Sequence, residues 1–154
     1  MKIGKTVHDM PELTLHAASI VKAVMEHDRR VLLFGPMGVG KSTLAAQLAK
    51  VLSELQRTCC CLNADPGSPA FGVPGSVSTA VWRDDSWQVT NIAALCTLDA
   101  GRFRLPLVSA ARMLAQQLPT AMVLIDAPGV VRGVSGRELL QGLVEATAVD
   151  AILA

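Results

Sequence analysis

An α/β fold is predicted by three observations. Short apolar runs read as strands: Val31 to Phe34, buried on both faces of a sheet, Thr58 to Leu62, and the buried Ala121 to Ile125. Segments with helix-forming content, Lys41 to Gln56, Leu105 to Leu118 and Gly136 to Ala148, alternate with those runs. A glycine-rich turn, Gly35 to Gly40, joins the first of the three strands to the helix after it. Strands alternating with helices imply a sheet covered by helices. With that turn in that place, the expectation is a P-loop NTPase three-layer αβα sandwich with a mainly parallel sheet.

The elements follow in order. Leu13, Ile20, Val21, Val24 and Met25 recur at helical spacing between Pro11 and the charged run Glu26 to Arg30. The segment 1–30 is therefore expected to carry a leading amphipathic helix against one sheet face, with the nucleotide-binding domain over 31–154. Asp65-Pro66-Gly67 ends the second strand, and Pro66 to Ser78, rich in proline, glycine and serine, reads as a long functional loop. Ala80 to Trp82 and Trp87 to Val89 read as a hairpin around Arg83-Asp84-Asp85-Ser86, with another strand over Ile92 to Leu98. Val149 to Ala154 reads as a strand that stops inside its apolar run, so the domain is expected to be truncated, the N-terminal part of a longer protein or an abbreviated homologue.

Composition narrows the functional classes. The chain has 154 residues, 51% hydrophobic and 18% charged, enough for one core and too few for two ordinary domains. A net charge of +1 provides no global field to gather a polyanion, so such a partner needs a local patch. Aromatic content of 3% argues against a face of stacked rings. Cys59-Cys60-Cys61 and Cys96 lack zinc and disulfide-scaffold spacing and read as reduced core residues. No stretch approaches the roughly 18 apolar residues of a membrane span, and the N-terminus has no apolar signal region, so a cytoplasmic location without membrane contact is expected.

The chemistry lies in Gly35-Pro36-Met37-Gly38-Val39-Gly40-Lys41-Ser42. Gly35 and Gly40 let the backbone bend around a phosphate and present its N–H groups, and Gly38 adds a third open position. Lys41 reaches the β- and γ-phosphates, the Ser42 hydroxyl takes a Mg²⁺ coordination position, and the following helix points its positive end at the anion. Gly35, Gly38, Val39, Gly40, Lys41, Ser42 and Thr43 are the expected contacts to ATP. Asp65 and Asp126 stand just past the carboxyl ends of their strands, where ligands bind in an open parallel sheet. One of the two is expected to hold Mg²⁺ with Ser42, the other to orient or deprotonate the nucleophile, or each simply forms a turn. Lys41, Asp65 and Asp126 are the catalytic candidates; Ser42, Asp65 and Asp126 are the metal candidates.

Arg102, Arg104, Arg112, Arg132 and Arg137 are available for a second polyanion or for ordinary surface pairs. His8, His16 and His27 show no metal-ligand spacing.

Three runs extend the pattern: Gly35 to Leu44, then Asn63-Ala64-Asp65-Pro66-Gly67-Ser68-Pro69, then Val73-Pro74-Gly75-Ser76-Val77-Ser78. Together with Ile125-Asp126-Ala127-Pro128-Gly129-Val130-Val131-Arg132-Gly133, they make the chain resemble the polynucleotide 5′-hydroxyl kinase family, which includes the kinase subunit of the mRNA 3′-end cleavage factor and a pre-rRNA-processing kinase. The resemblance implies that Lys41 and Ser42 hold ATP and Mg²⁺ while Asp65 activates the 5′-hydroxyl of RNA or DNA. The family's glutamine after Asp-Pro-Gly is Ser68 here, its asparagine is Asp126, and its later tryptophan is Val130.

Two other functions fit the same residues. In a switch-type GTPase or ATPase, Asp126-Ala127-Pro128-Gly129 senses the γ-phosphate and water is the acceptor. In a noncatalytic module, bound nucleotide holds the domain in shape for a protein partner. The sequence names no such partner.

Overall fold

The computed structural model describes residues 12–25, 30–119 and 121–154. The elements run α1 (Glu12–Met25), β1 (Arg30–Leu33), α2 (Lys41–Glu54), β2 (Cys59–Asn63), β3 (Ser76–Arg83), β4 (Ser86–Ala94), α3 (Arg104–Ala115), β5 (Met122–Asp126), α4 (Gly133–Thr147) and β6 (Ala151–Leu153). Among the described residues these make one six-stranded sheet in the order β4-β3-β2-β5-β1-β6, with four helices.

The sheet is mixed, where a mainly parallel one was expected. β2, β5, β1 and β6 are parallel neighbours, whereas β2 pairs with β3, and β3 with β4, antiparallel. The second of these antiparallel pairs comes from a hairpin. Arg83 pairs with Ser86, leaving Asp84 and Asp85 as a two-residue turn with φ of 51° and 55°. Both central residues of a type I′ turn need positive φ, which aspartate tolerates better than bulkier residues. This turn folds β4 directly back on β3, where a crossover helix would have kept the direction parallel.

Two sequence expectations change here. Ser76-Val77-Ser78, read as loop, begins β3, where all three residues pair with β4 and Ser78 also pairs with Asn63 of β2. Ile92 starts no new strand: β4 runs through it and ends at Ala94.

Pleating divides the core in two. Leu32, Cys60, Leu62, Val123 and Ile125 pack with Leu107, Ala111 and Leu114 of α3 and Leu139 and Leu143 of α4. Their chain neighbours Val31, Leu33, Cys59, Cys61 and Leu124 pack with Ala17, Val21 and Val24 of α1 and Ala45, Leu48 and Leu52 of α2. The period of two along each strand sends successive side chains to opposite faces, which is why three consecutive cysteines are all buried yet belong to two cores. Cys96 differs from the expected core residue: it is exposed, at φ 56°.

Arg30 ties the helices to the sheet at the end away from the glycine-rich loop. Its Nη1 donates to the Thr147 carbonyl at 2.8 Å and its Nη2 to the Ala115 carbonyl at 3.1 Å, the last residues of α4 and α3. A guanidinium there satisfies carbonyls that lack intrahelical partners and complements the negative ends of both helix dipoles.

Candidate nucleotide-binding site

β1 ends at Leu33 and α2 starts at Lys41, so residues 34–40 turn over the carboxyl edge of the sheet. Gly38 and Gly40 have φ of 81° and 91°, and a Cβ on either would meet nothing within 4 Å. Glycine is required at these two positions by the left-handed backbone and leaves open space above it. Gly40 caps α2 with no side-chain hydrogen bond, and no acidic residue stands in the first turn. The first amides of α2 therefore keep both their donors and their positive dipole end for an anion. Thr43 is exposed beside them, and Met37 and Val39 are exposed on the loop.

Lys41 curls over this loop. Its Nζ donates to the Gly35 carbonyl at 2.9 Å and the Pro36 carbonyl at 3.1 Å, which holds the ammonium above the turn. One residue on, Ser42 Oγ donates to Asp126 Oδ2 at 2.6 Å across 84 positions of sequence. Asp126 ends β5, and only 2% of it is exposed. Burial raises its carboxyl above the usual value of 3.8, the Ser42 hydrogen bond and the Lys41 charge oppose that rise, and the Asp65 charge adds to it.

Asp65 follows β2. Its Oδ1 accepts from the Gly67 amide at 3.0 Å and the Ser68 amide at 3.2 Å, so the aspartate closes the Asp-Pro-Gly turn. The two amides orient the carboxylate, and its charge helps to raise the Asp126 carboxyl. Lys41, Ser42, Asp65 and Asp126 thus share one neighbourhood. Hard oxygen donors from a hydroxyl and two carboxylates suit Mg²⁺. Among the described residues no cluster of three or more His, Cys, Asp or Glu forms a metal centre, so a cation here would also need phosphate or water oxygens, as Mg²⁺ sites beside nucleotides do.

The loop from Pro66 to Gly75 is pinned from β3. Ser76 Oγ donates to the Val73 carbonyl at 2.6 Å and Ser78 Oγ to the Phe71 carbonyl at 3.3 Å, while the Gly75 amide reaches the Pro66 carbonyl at 2.9 Å. The Leu95 and Cys96 amides donate to the Gly75 carbonyl, joining the next loop to it. Gly129, in the Asp126-Ala127-Pro128-Gly129 run, lies against the glycine-rich loop so closely that a Cβ would be 2.7 Å from the Met37 amide nitrogen.

Of the arginines, Arg104 is engaged structurally: it pairs with Glu138 at 2.8 Å and donates to the Gly101 carbonyl and to Ser135 Oγ, binding α3 to α4. The Arg102 guanidinium lies 5.7 Å from the centre of the Phe103 ring, and Arg112, Arg132 and Arg137 are exposed. His8 and His27 lie outside the described residues; His16 is in α1. Asn63, which the sequence did not single out as a site residue, is fully buried at the end of β2, in register with Asp126 of β5. Its signal was a carboxamide ending an apolar strand at the ligand edge.

The P-loop family of the mRNA cleavage and polyadenylation factor CLP1 has a model that matches residues 35–94. A chain of the wild-type Clp1p–Pcf11p complex superposes with a TM-score of 0.74 at 15% identity, over 89% of this chain and 40% of that one. The fold is that of the CLP1 P-loop domain. A second Clp1p–Pcf11p structure, which concerns an extended interface and the loss of ATP in a glycine-to-arginine point mutant, gives 0.71 at 14% identity, over 89% and 41%. The chain spans about two fifths of the length of these solved chains. No curated protein matches it. Motif, fold and site together make the chain a P-loop nucleotide-binding module.

Proposed function

We propose that the chain is the nucleotide-binding part of an ATP–Mg²⁺-dependent kinase that transfers the γ-phosphate to the 5′-hydroxyl of RNA or DNA. The observation that supports this reading is Asp65: a carboxylate oriented by two amides, whose charge acts on Asp126 of the Lys41–Ser42–Asp126 group. Mg²⁺ would supply charge neutralisation of the phosphates, held through Ser42 and Asp126. Lys41 and the amides of the glycine-rich loop bind and orient the phosphates. Asp65 takes the acceptor proton as the hydroxyl oxygen bonds to the γ-phosphorus, and the bond to the β,γ-bridging oxygen breaks with its electron pair leaving on ADP. The likeness to chains of Clp1p–Pcf11p complexes supports a place in nucleic-acid processing and a protein partner of that kind. The test is transfer of labelled γ-phosphate from ATP to a 5′-hydroxyl oligonucleotide. Transfer that disappears in Asp65→Asn, with nucleotide affinity retained, supports the reading; no transfer by the complete protein with nucleotide bound rejects it.

A second reading has its own observation. A Cβ on Gly129 would fall 2.7 Å from the Met37 nitrogen and Asp126 bonds Ser42, so Asp126-Ala127-Pro128-Gly129 packs close to the phosphate loop, as a γ-phosphate sensor requires. A switch-type GTPase or ATPase would release inorganic phosphate to water with no oligonucleotide present. Phosphate release measured against ATP and GTP separates the two.

A further inference from the structure

Asn63 is fully buried, and its two polar ends are unequal. Its Nδ2 donates to the Asp65 carbonyl at 3.4 Å, whereas its Oδ1 has no hydrogen-bond partner. A buried acceptor without a donor is costly, and an apolar residue of similar volume would avoid that cost. Its place in the sheet indicates what the oxygen is for. Asn63 stands in register between Ser78 of β3 and Asp126 of β5. By the pleat it shares the face of Cys59 and Cys61, and Asp126 shares that of Leu124, the face covered by α2 from which Ser42 bonds Asp126. The hydroxyls closest in this arrangement are committed: Ser42 donates to Asp126 and Ser78 to the Phe71 carbonyl. Neither hydroxyl supplies the donor that Oδ1 lacks.

We propose that Asn63 is a positioning residue of the cation site, its Oδ1 accepting a hydrogen bond from a water carried by the Mg²⁺ that Ser42 and Asp126 hold. Its Nδ2 ties that arrangement to the backbone of Asp65, so one carboxamide links the cation side of the site to the acceptor side. The inference rests on the nucleotide–Mg²⁺ reading given above.

The experiment titrates a non-hydrolysable ATP analogue into the full chain with and without Mg²⁺, for wild type, Asn63→Leu, Asn63→Ala and Asn63→Asp, alongside unliganded melting curves. The tightening produced by Mg²⁺ is expected to shrink about tenfold in Asn63→Leu and Asn63→Ala, the loss typical of partners that orient metal ligands. Affinity without Mg²⁺ stays at the wild-type value. Asn63→Asp, which keeps an oxygen acceptor, retains the tightening. Should Asn63→Leu not fold, Asn63→Ala decides the same comparison. An undiminished Mg²⁺ effect in the Leu or Ala variant, or equal losses with and without Mg²⁺, overturns this inference alone. A wild-type chain that binds no nucleotide under either condition overturns the parent reading and this one with it.

Discussion

Gly129 and Met37, far apart in sequence, meet where the β5–α4 loop leans on the glycine-rich loop: a Cβ at Gly129 would lie 2.7 Å from the Met37 nitrogen and 2.9 Å from its Cα. Neither neighbour is a flexible side-chain end, so any side chain at 129 must move backbone. Gly129→Ala is expected to displace the glycine-rich loop and weaken nucleotide binding about tenfold, near the lower end of the roughly 1–3 kcal/mol typical of overpacking. Isothermal titration measures the first effect and thermal unfolding shows whether the fold survives. Affinity equal to wild type would mean that the two loops separate freely.

Lys41 is held by two carbonyls of its own loop, at 2.9 and 3.1 Å, so its ammonium stands over the turn before any anion binds. Lys41→Ala removes a charge-assisted contact to phosphate of about 2 kcal/mol, a loss of roughly 30-fold in nucleotide affinity. The melting temperature of the unliganded protein should change little. A nucleotide titration paired with a melt checks both.

For Asp126 the direction of the pH effect is set by burial. The folded state binds this proton more tightly than the unfolded chain, because desolvation outweighs the Ser42 and Lys41 interactions. The stability Asp126 contributes is therefore fully present below pH 3.8 and is lost as pH rises through the raised folded value. Asp126→Asn keeps an oxygen for Ser42 and cannot titrate. In unliganded protein, the stability of wild type relative to Asp126→Asn should fall with rising pH across that window and level off above it. Denaturant unfolding at a series of pH values measures this; a difference that rises with pH would refute the assignment.

Arg30 closes the carboxyl ends of two helices at once, through the Thr147 and Ala115 carbonyls. Arg30→Met keeps the aliphatic stem and removes both bonds. A loss of about 2 kcal/mol is expected from two charge-assisted hydrogen bonds at a half-buried position. Nucleotide affinity should remain unchanged, since the residue lies at the opposite end of β1 from the glycine-rich loop. Denaturant unfolding and the same titration test the two halves of the prediction.

Much of the local structure was legible. The four residues Val31 to Phe34 are too short and too apolar for anything but a buried strand, and the glycine spacing after them leaves one backbone path. Ser76 to Ser78 misled because serine and glycine near proline read as loop wherever they are counted by composition. What makes them strand is pairing with β4 and with β2, and what uses their hydroxyls is the loop above them. Arg104 was legible only as a charge; that it joins Glu138 and Ser135 depends on α3 lying beside α4.

By itself the sequence determined what a few neighbouring residues decide: the periodicity of each element, the left-handed turns at Gly38 and Gly40, the hairpin at Asp84-Asp85, and a lysine and a serine at the mouth of a helix. Tertiary structure alone decided which distant groups meet. Ser42 on Asp126, Asp65 acting on that same carboxylate, Gly129 on Met37 and Asn63 between two strands are all consequences of strand order and register. Strand order is set by burying two faces of one sheet at once, a condition on the whole chain that no local window of residues contains.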